Sequence, residues 1–197
     1  FAAHPAVSAV RVVIHPSDEA LYQDALSTLD TNKLLSPVNG GATRQDSVRL
    51  GLESLAEDAP DAVLIHDGAR PLVSGAVIAR SLEALQENIG AIAALPLSDS
   101  LKRATPDGKM IDNDVARDGL WRAQTPQTFR FADILAAHRA AEGQNATDDA
   151  GVAERHGIAV ALVAGDEENI KITTEADMTR AEQILHDRSG GAPAGEQ

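Results

Sequence analysis

The sequence predicts an α/β fold, with a mainly parallel sheet flanked by helices. Three observations carry this prediction. Short apolar or β-branched runs, VSAVRVVI at 7–14, DAVLIH at 61–66 and GAIAALPL at 90–97, match the length and composition of buried parallel strands. Segments with apolar residues at helical spacing separate them, as in βαβ units. The chain is 43% hydrophobic yet only 3% aromatic. Its core must therefore be built from Ala, Val, Leu and Ile, small enough for helices to lie close on a sheet. A length of 197 residues suits one large domain, here expected over 1–188, with SGGAPAGEQ (189–197) as a flexible tail or linker.

Each element has a local reason. After the strand at 7–14, Ser17 is the expected N-cap of a helix running to about Leu29. Within 30–41, LLSPV is readable as a short strand. GGATRQDSVRLGLESL then opens a helix with Val48, Leu52 and Leu55 on one face. The strand at 61–66 is stopped by Asp67-Gly68. A helix follows from Gly75 to Glu87 with Ile78, Leu82 and Leu85 inward, and then the strand at 90–97.

From Ser98 to Arg130 no helical period is visible, and Pro106-Asp107-Gly108 reads as a turn between extended segments. So long a stretch is unusual inside a compact domain, and it predicts a projecting β-arm at about 98–130; a surface insertion is the alternative. Helices are expected at 131–142 and 148–155, strands at 158–163 and 169–173, and a last helix to about Asp187, opened by a capping box at Thr174–Asp177.

Composition excludes several classes of function. The net charge is −13 and aromatic residues are scarce, which argues against broad nucleic-acid binding. A local basic pocket for a small phosphorylated ligand remains compatible with that field. Without cysteine there are no disulfides, zinc thiolates or cysteine nucleophiles. No apolar run approaches the roughly 20 residues needed to span a bilayer and no signal peptide is visible, so the expectation is a cytoplasmic protein without membrane contact.

Three polar clusters invite a chemical reading. In HDGARP, Asp67 follows a strand at the end where ligands sit in open parallel sheets, Gly68 permits close approach, and Arg70 offers a fork for phosphate; the competing reading is a plain Asp-Gly turn with a solvated arginine. His66 reads as a satisfied core histidine. Lys171 is one of four lysines. In a strand it would share a face with Asn169 and Thr173, either as a phosphate contact or as a solvated face. Thr125-Pro126, in RDGLWRAQTPQ, is expected to end a strand and to aim its hydroxyl at a ligand. Thr147-Asp148-Asp149 reads as a helix N-cap or a third polar site. The six histidines show no metal-ligand spacing, so no protein metal site is expected.

Taken in order, GGATRQDSV, HDGARP, SLKR, RDGLWRAQTPQTF, TDDAG and ENIKIT resemble the 2-C-methyl-D-erythritol 4-phosphate cytidylyltransferase family from about Val7 to Leu185. The resemblance implies a Rossmann-like nucleotidyltransferase fold whose arm forms a homodimer. It implies transfer of a cytidylyl group from CTP to methylerythritol phosphate in non-mevalonate isoprenoid synthesis, with Mg²⁺ bound mainly through the CTP phosphates. Gly41, Ala42, Ser47, Gly68 and Lys171 are then implied in nucleotide binding. Ala42 stands where the family often has an acidic residue. Asp67, Arg70, Ser100, Arg117, Thr125 and Thr147 are implied on the acceptor side, Ser100 replacing a threonine. Lys171, on the α-phosphate, and Arg117, reaching the acceptor in the neighbouring subunit, are the implied catalytic residues.

Family members begin with a strand and a Gly-rich loop carrying an Arg and a Lys. Nothing before Phe1 matches it, and the expectation is that this segment has been trimmed from a longer parent chain. The rival readings are a cytidylyltransferase for ribitol or glycerol phosphate and a non-catalytic nucleotide-binding subunit.

Overall fold

The computed structural model describes residues 1–144 and 146–190. Strands β1 (Val13–Ile14) and β2 (Val38–Asn39) pair in parallel, and a bridge between Val10 and Leu34 extends the pairing. A four-stranded sheet has the order β3-β7-β4-β8, with β3 at Ala62–Ile65, β4 at Gly90–Pro96, β7 at Trp121–Arg130 and β8 at Val160–Ala164. Strands β5 (Leu101–Ala104) and β6 (Ile111–Val115) form a separate antiparallel hairpin, turned at 106–108 with Gly108 at φ +71°.

The sheet is mixed rather than mainly parallel. β8 runs parallel to β4, whereas β7 runs antiparallel to both β3 and β4. The cause lies in the connection: β7 follows a hairpin instead of a crossover helix, so it returns reversed beside β4 and wedges between β4 and β3. The strands β3, β4 and β8 still point one way, and their carboxyl ends share an edge.

Further expectations need correction. The arm is confined to about 98–120, because Trp121–Arg130 is a central strand, buried from Gln124 to Phe129. Pro126 does not end that strand. The ladder to β4 slips there, Ile92 facing Gln127 and Ala94 facing Ala123, and the bulge needs no N–H from proline; the Thr125-Pro126 bond is cis. Residues 169–173 are not a strand. The Asn169 carbonyl accepts from Arg70 Nη1 at 2.7 Å and the Ile172 N–H donates to the Ala69 carbonyl at 2.8 Å, so a loop supplies the partners a ladder would have given. Asn169 is fully buried instead of facing outward beside Lys171.

The helices are α1 (Glu19–Leu26), α2 (Arg44–Glu53), α3 (Gly75–Glu83), α4 (Phe131–Ala140), α5 (Asp149–Arg155) and α6 (Glu175–Gly190). A 3₁₀ turn at Pro16–Asp18 precedes α1, so Ser17 does not cap it; its N–H is taken by His15 Nδ1 at 3.3 Å. Thr43 caps α2 through Asp46 N–H at 3.0 Å, and Asp148 caps α5 through Gly151 N–H at 2.9 Å. At α6 the Asp177 carboxylate accepts from both Thr173 and Thr174, which holds its pKa down to about 2. That helix takes in residues 189 and 190, and the rest of the expected tail, 191–197, lies outside the described residues.

Leu52, Ile65, Phe129, Ile134 and Val152 pack together between the sheet and helices α2, α4 and α5. Each such side chain contributes about 1.5–3 kcal/mol by leaving water. Gly90 permits a close approach in this core: a Cβ there would sit 2.6 Å from the Phe129 ring. Among the described residues no helix is long and apolar enough to cross a membrane.

Candidate active site

At the carboxyl end of β3 the chain leaves the sheet through His66 and Asp67, and a line of hydrogen bonds fixes the exit. The Asp67 N–H donates to Thr125 Oγ1 at 3.1 Å, Thr125 Oγ1 lies 2.9 Å from His66 Nδ1, and His66 Nε2 lies 2.9 Å from the Arg70 carbonyl. A carbonyl only accepts, so Nε2 carries the proton and Nδ1 accepts from the Thr125 hydroxyl. His66 is thereby satisfied as a neutral imidazole. Burial pushes its pKa down, more than the Arg70 carbonyl and Asp67 push it up.

Cations converge on the Asp67 carboxylate. Its Oδ2 lies 3.0 Å from Lys171 Nζ and 3.8 Å from Arg70 Nε, and its Oδ1 lies 3.4 Å from Arg44 Nε. Burial would raise the Asp67 pKa, but the Lys171 hydrogen bond and the Arg44 charge outweigh it and hold the carboxyl below its ordinary value. Arg70 is lowered, chiefly by burial. The side chains of Lys171 and Arg44 are 46% and 38% exposed, so solvent keeps each pair to about 1 kcal/mol or less. The cluster matters for where it puts charge more than for stability. In a chain of net charge −13, it gathers three cations on one acid.

Lys171 is brought there by buried amides on β7 and the segment after β8. Asn169 Nδ2 donates to the Thr125 carbonyl at 2.8 Å. Gln124 Nε2 donates to the Asp166 carbonyl at 2.8 Å, and its Oε1 accepts from the Asp166 N–H at 3.1 Å. Neither Asn169 nor Gln124 was singled out by the sequence, since a buried amide has no signature apart from the carbonyls it meets.

Gly41 and Ser47 also come together. The Gly41 N–H donates to Ser47 Oγ at 3.1 Å, and that hydroxyl donates to the Thr43 carbonyl at 2.9 Å. A Cβ on Gly41 would sit 2.4 Å from Asp46 Cβ, so only glycine can pass this close to the first turn of α2. Both line a cleft of about 120 Å³ with Val13, Ile14, His15 and Gly40. Ala42 is exposed just before the Thr43 cap. A larger concavity, about 240 Å³, lies beside Glu83 and Glu87, and its two carboxylates and lack of cations do not suit a phosphate.

Other expected residues are placed differently. Thr125 is buried, with its hydroxyl engaged by Asp67 and His66, so it braces the loop instead of aiming at a ligand. Thr147 is exposed, one residue before the α5 cap. Arg117 and Ser100 are exposed on the arm, and the Arg117 guanidinium donates to the Ser98 carbonyl at its base. Neither is bonded to the Asp67 cluster. A Cβ at Gly68 would meet nothing within 4 Å, so no protein atom presses on that glycine.

A further residue the sequence reading passed over is Arg44. It lies in the first turn of α2, where the helix dipole disfavours a cation by about 0.3–1 kcal/mol, and that misplacement was a usable signal. Burial lowers its pKa, but Asp149 and Asp67 together raise it above the ordinary value.

A model of the family described as 2-C-methyl-D-erythritol 4-phosphate cytidylyltransferase (IspD) matches residues 1–187. The bifunctional enzyme IspD/IspF of Rhodospirillum rubrum is 61% identical over 185 residues, 94% of this chain and 47% of that protein. The enzyme of the same name from Paramagnetospirillum magneticum is 55% identical over 190 residues, 96% of this chain and 48% of that protein. The chain thus spans about half the length of these curated relatives. A crystal structure of a 4-diphosphocytidyl-2C-methyl-D-erythritol synthase shares the fold with a TM-score of 0.81 at 33% identity, over 93% of this chain and 83% of that one. A 2-C-methyl-D-erythritol 4-phosphate cytidylyltransferase from Thermus thermophilus does so at 0.73 and 36% identity, over 91% and 82%.

Proposed function

The chain belongs to the 2-C-methyl-D-erythritol 4-phosphate cytidylyltransferase family, a group with a Rossmann-like fold, and from that premise we propose that it transfers a cytidylyl group from CTP to 2-C-methyl-D-erythritol 4-phosphate in isoprenoid synthesis. A phosphate oxygen of the acceptor attacks the α-phosphorus of CTP, the bond to the β-phosphate breaks, and pyrophosphate leaves. The nucleophile is already anionic, so no general base is required; positioning and charge neutralisation carry the reaction. The observation that supports this most is the convergence of Lys171, Arg70 and Arg44 on Asp67 at the end of β3.

In this reading Lys171 turns from Asp67 to the α-phosphate as charge develops there. Asp67 receives hydroxyls of the acceptor, and Arg70, pinned through Asn169, orients it. The cleft at Gly41 and Ser47 takes the base and ribose, with Ala42 and Gly68 beside the nucleotide. Ser100 and Arg117 serve the acceptor across a homodimer formed through the arm, where Met110 and Ile111 are 70% and 65% exposed. Thr147 stays an acceptor-side candidate at the start of α5, and Thr125 acts by holding the Asp67 loop.

Among the described residues no group of three or more His, Asp or Glu side chains could hold a metal ion, and Asp67 is already paired with cations. In this reading Mg²⁺ would be bound mainly through the CTP phosphates and would add charge neutralisation there. In this reading the reaction takes place in the cytoplasm, with CTP and the polyol phosphate as partners. Pyrophosphate release measured with methylerythritol, ribitol and glycerol phosphates tests the reading. Turnover with methylerythritol phosphate alone supports it, and preference for either other acceptor, or none, overturns it.

A further inference from the structure

Behind Asp67 stands a second charged group that the reaction as proposed does not use. Arg44 Nη2 lies 2.7 Å from Asp149 Oδ2, and the other oxygen of Asp149 lies 3.3 Å from His138 Nε2. The side chains of Asp149 and His138 are 1% and 0% exposed. Asp149 opens α5 and His138 lies on α4, so the guanidinium meets a carboxylate of one core helix that is backed by a histidine of another. The start of α5 is itself held to β7, where the Ala150 N–H donates to Gln127 Oε1 at 2.8 Å and Gln127 Nε2 donates to Asp148 Oδ2 at 2.9 Å. An isolated carboxylate this deep is costly to bury. Here its two oxygens face an arginine and a histidine, and the arginine continues outward to Asp67.

We propose that Arg44, anchored from within by Asp149 and His138, is a positioning residue that sets the orientation of the Asp67 carboxylate. Lys171 and Arg70 both approach Oδ2 of Asp67, and Arg44 alone of these three takes Oδ1. Without it, the carboxylate is pulled from one side only and is free to rotate onto Lys171. The guanidinium suits the task because its planar fork reaches two carboxylates at once, which an ammonium at the same place does not. This inference rests on the reading of Asp67 as the group that receives the acceptor's hydroxyls.

Steady-state kinetics of the whole protein test it. Arg44→Ala is expected to raise the KM for methylerythritol phosphate about 10-fold, the scale of one charged hydrogen bond, while the KM for CTP changes less than about twofold. In an Asp67→Asn background the same substitution is expected to add less than about twofold, because Arg44 acts through Asp67. Equal rises in both KM values, or undiminished effects in that background, overturn the proposal. Arg44→Lys keeps a charge beside Asp149 if the alanine variant folds poorly; it is expected to raise the acceptor KM to an intermediate value, and a wild-type KM overturns the proposal. A crystal structure of either folded variant gives a readout independent of turnover: a rotated Asp67 carboxylate supports the proposal and an unmoved one refutes it. A wild-type protein inactive with every acceptor overturns the proposed function, and the crystal structure still decides the role of Arg44.

Discussion

Around Asp67, the polar groups are tied to residues far away in sequence: Thr125 at the Asp67 N–H and at His66, Arg44 and Lys171 at the carboxylate, Asn169 at Arg70. The hairpin at 101–115 is tied to its own neighbours. Its Thr105 N–H donates to the Met110 carbonyl at 2.9 Å, Thr105 Oγ1 donates to Asp107 at 2.6 Å, and Lys102 pairs with Asp114 across the ladder. The first region inherits its rigidity from the sheet. The second has no core of its own and exposes Met110 and Ile111. Residues on the sheet edge are thus placed by this chain alone, whereas those on the arm are proposed to join a site only against a partner copy.

The sharpest test of this contrast is at Lys171. Lys171→Ala is expected to lower kcat by about 10²-fold or more, the scale of losing one preorganised donor, with little change in stability. Steady-state assays of pyrophosphate release measure it, and a near-normal kcat removes Lys171 from the role. Next in size is Asn169→Ala, which leaves the Thr125 carbonyl without its buried donor. A loss of about 1–3 kcal/mol in urea unfolding is expected, together with reduced activity, because the segment carrying Lys171 is released.

A smaller effect concerns pH. His66 titrates below its ordinary 6.5 in the folded chain, so as pH falls past 6.5 the unfolded chain takes up the proton first and stability declines. One such group contributes at most about 1.4 kcal/mol per pH unit. Melting temperatures between pH 7 and 5 should fall, and less steeply in His66→Gln. Asp67, depressed from 3.8, keeps its contribution until the pH drops below that value and loses it as the pH falls through the folded pKa. The smallest change is expected on the arm. Lys102→Ala should cost less than about 0.5 kcal/mol, since the pair with Asp114 is 47% and 78% exposed. A larger loss in chemical unfolding would show that the arm is braced as the sheet edge is.

What was legible follows from how local each signal is. The strands at 62–65 and 90–96, the helices from 75 and 131, the Thr174–Asp177 cap and the turn at 106–108 depend on neighbouring residues, and all were readable. Asp67, Arg70 and Lys171 were candidates from short motifs, and the structure brings these three together, whereas Gly41 and Ser47 were implied by the family resemblance alone. The strand at 121–130 was read as arm because no helical period appears between 98 and 130, and its Thr-Pro step looks like a terminus until the bulge against β4 is seen.

By itself, then, the amino-acid order determined the α/β class, most element positions and the residue types that carry charge, because periodicity, caps and turns act over a few residues. The tertiary structure alone decided that β7 lies reversed inside the sheet and that Thr125 faces His66. It alone brought His138, Asp149 and Arg44 into line behind Asp67. Those contacts join side chains on different elements of the fold, and burial strengthens the ones made by Asp149 and His138.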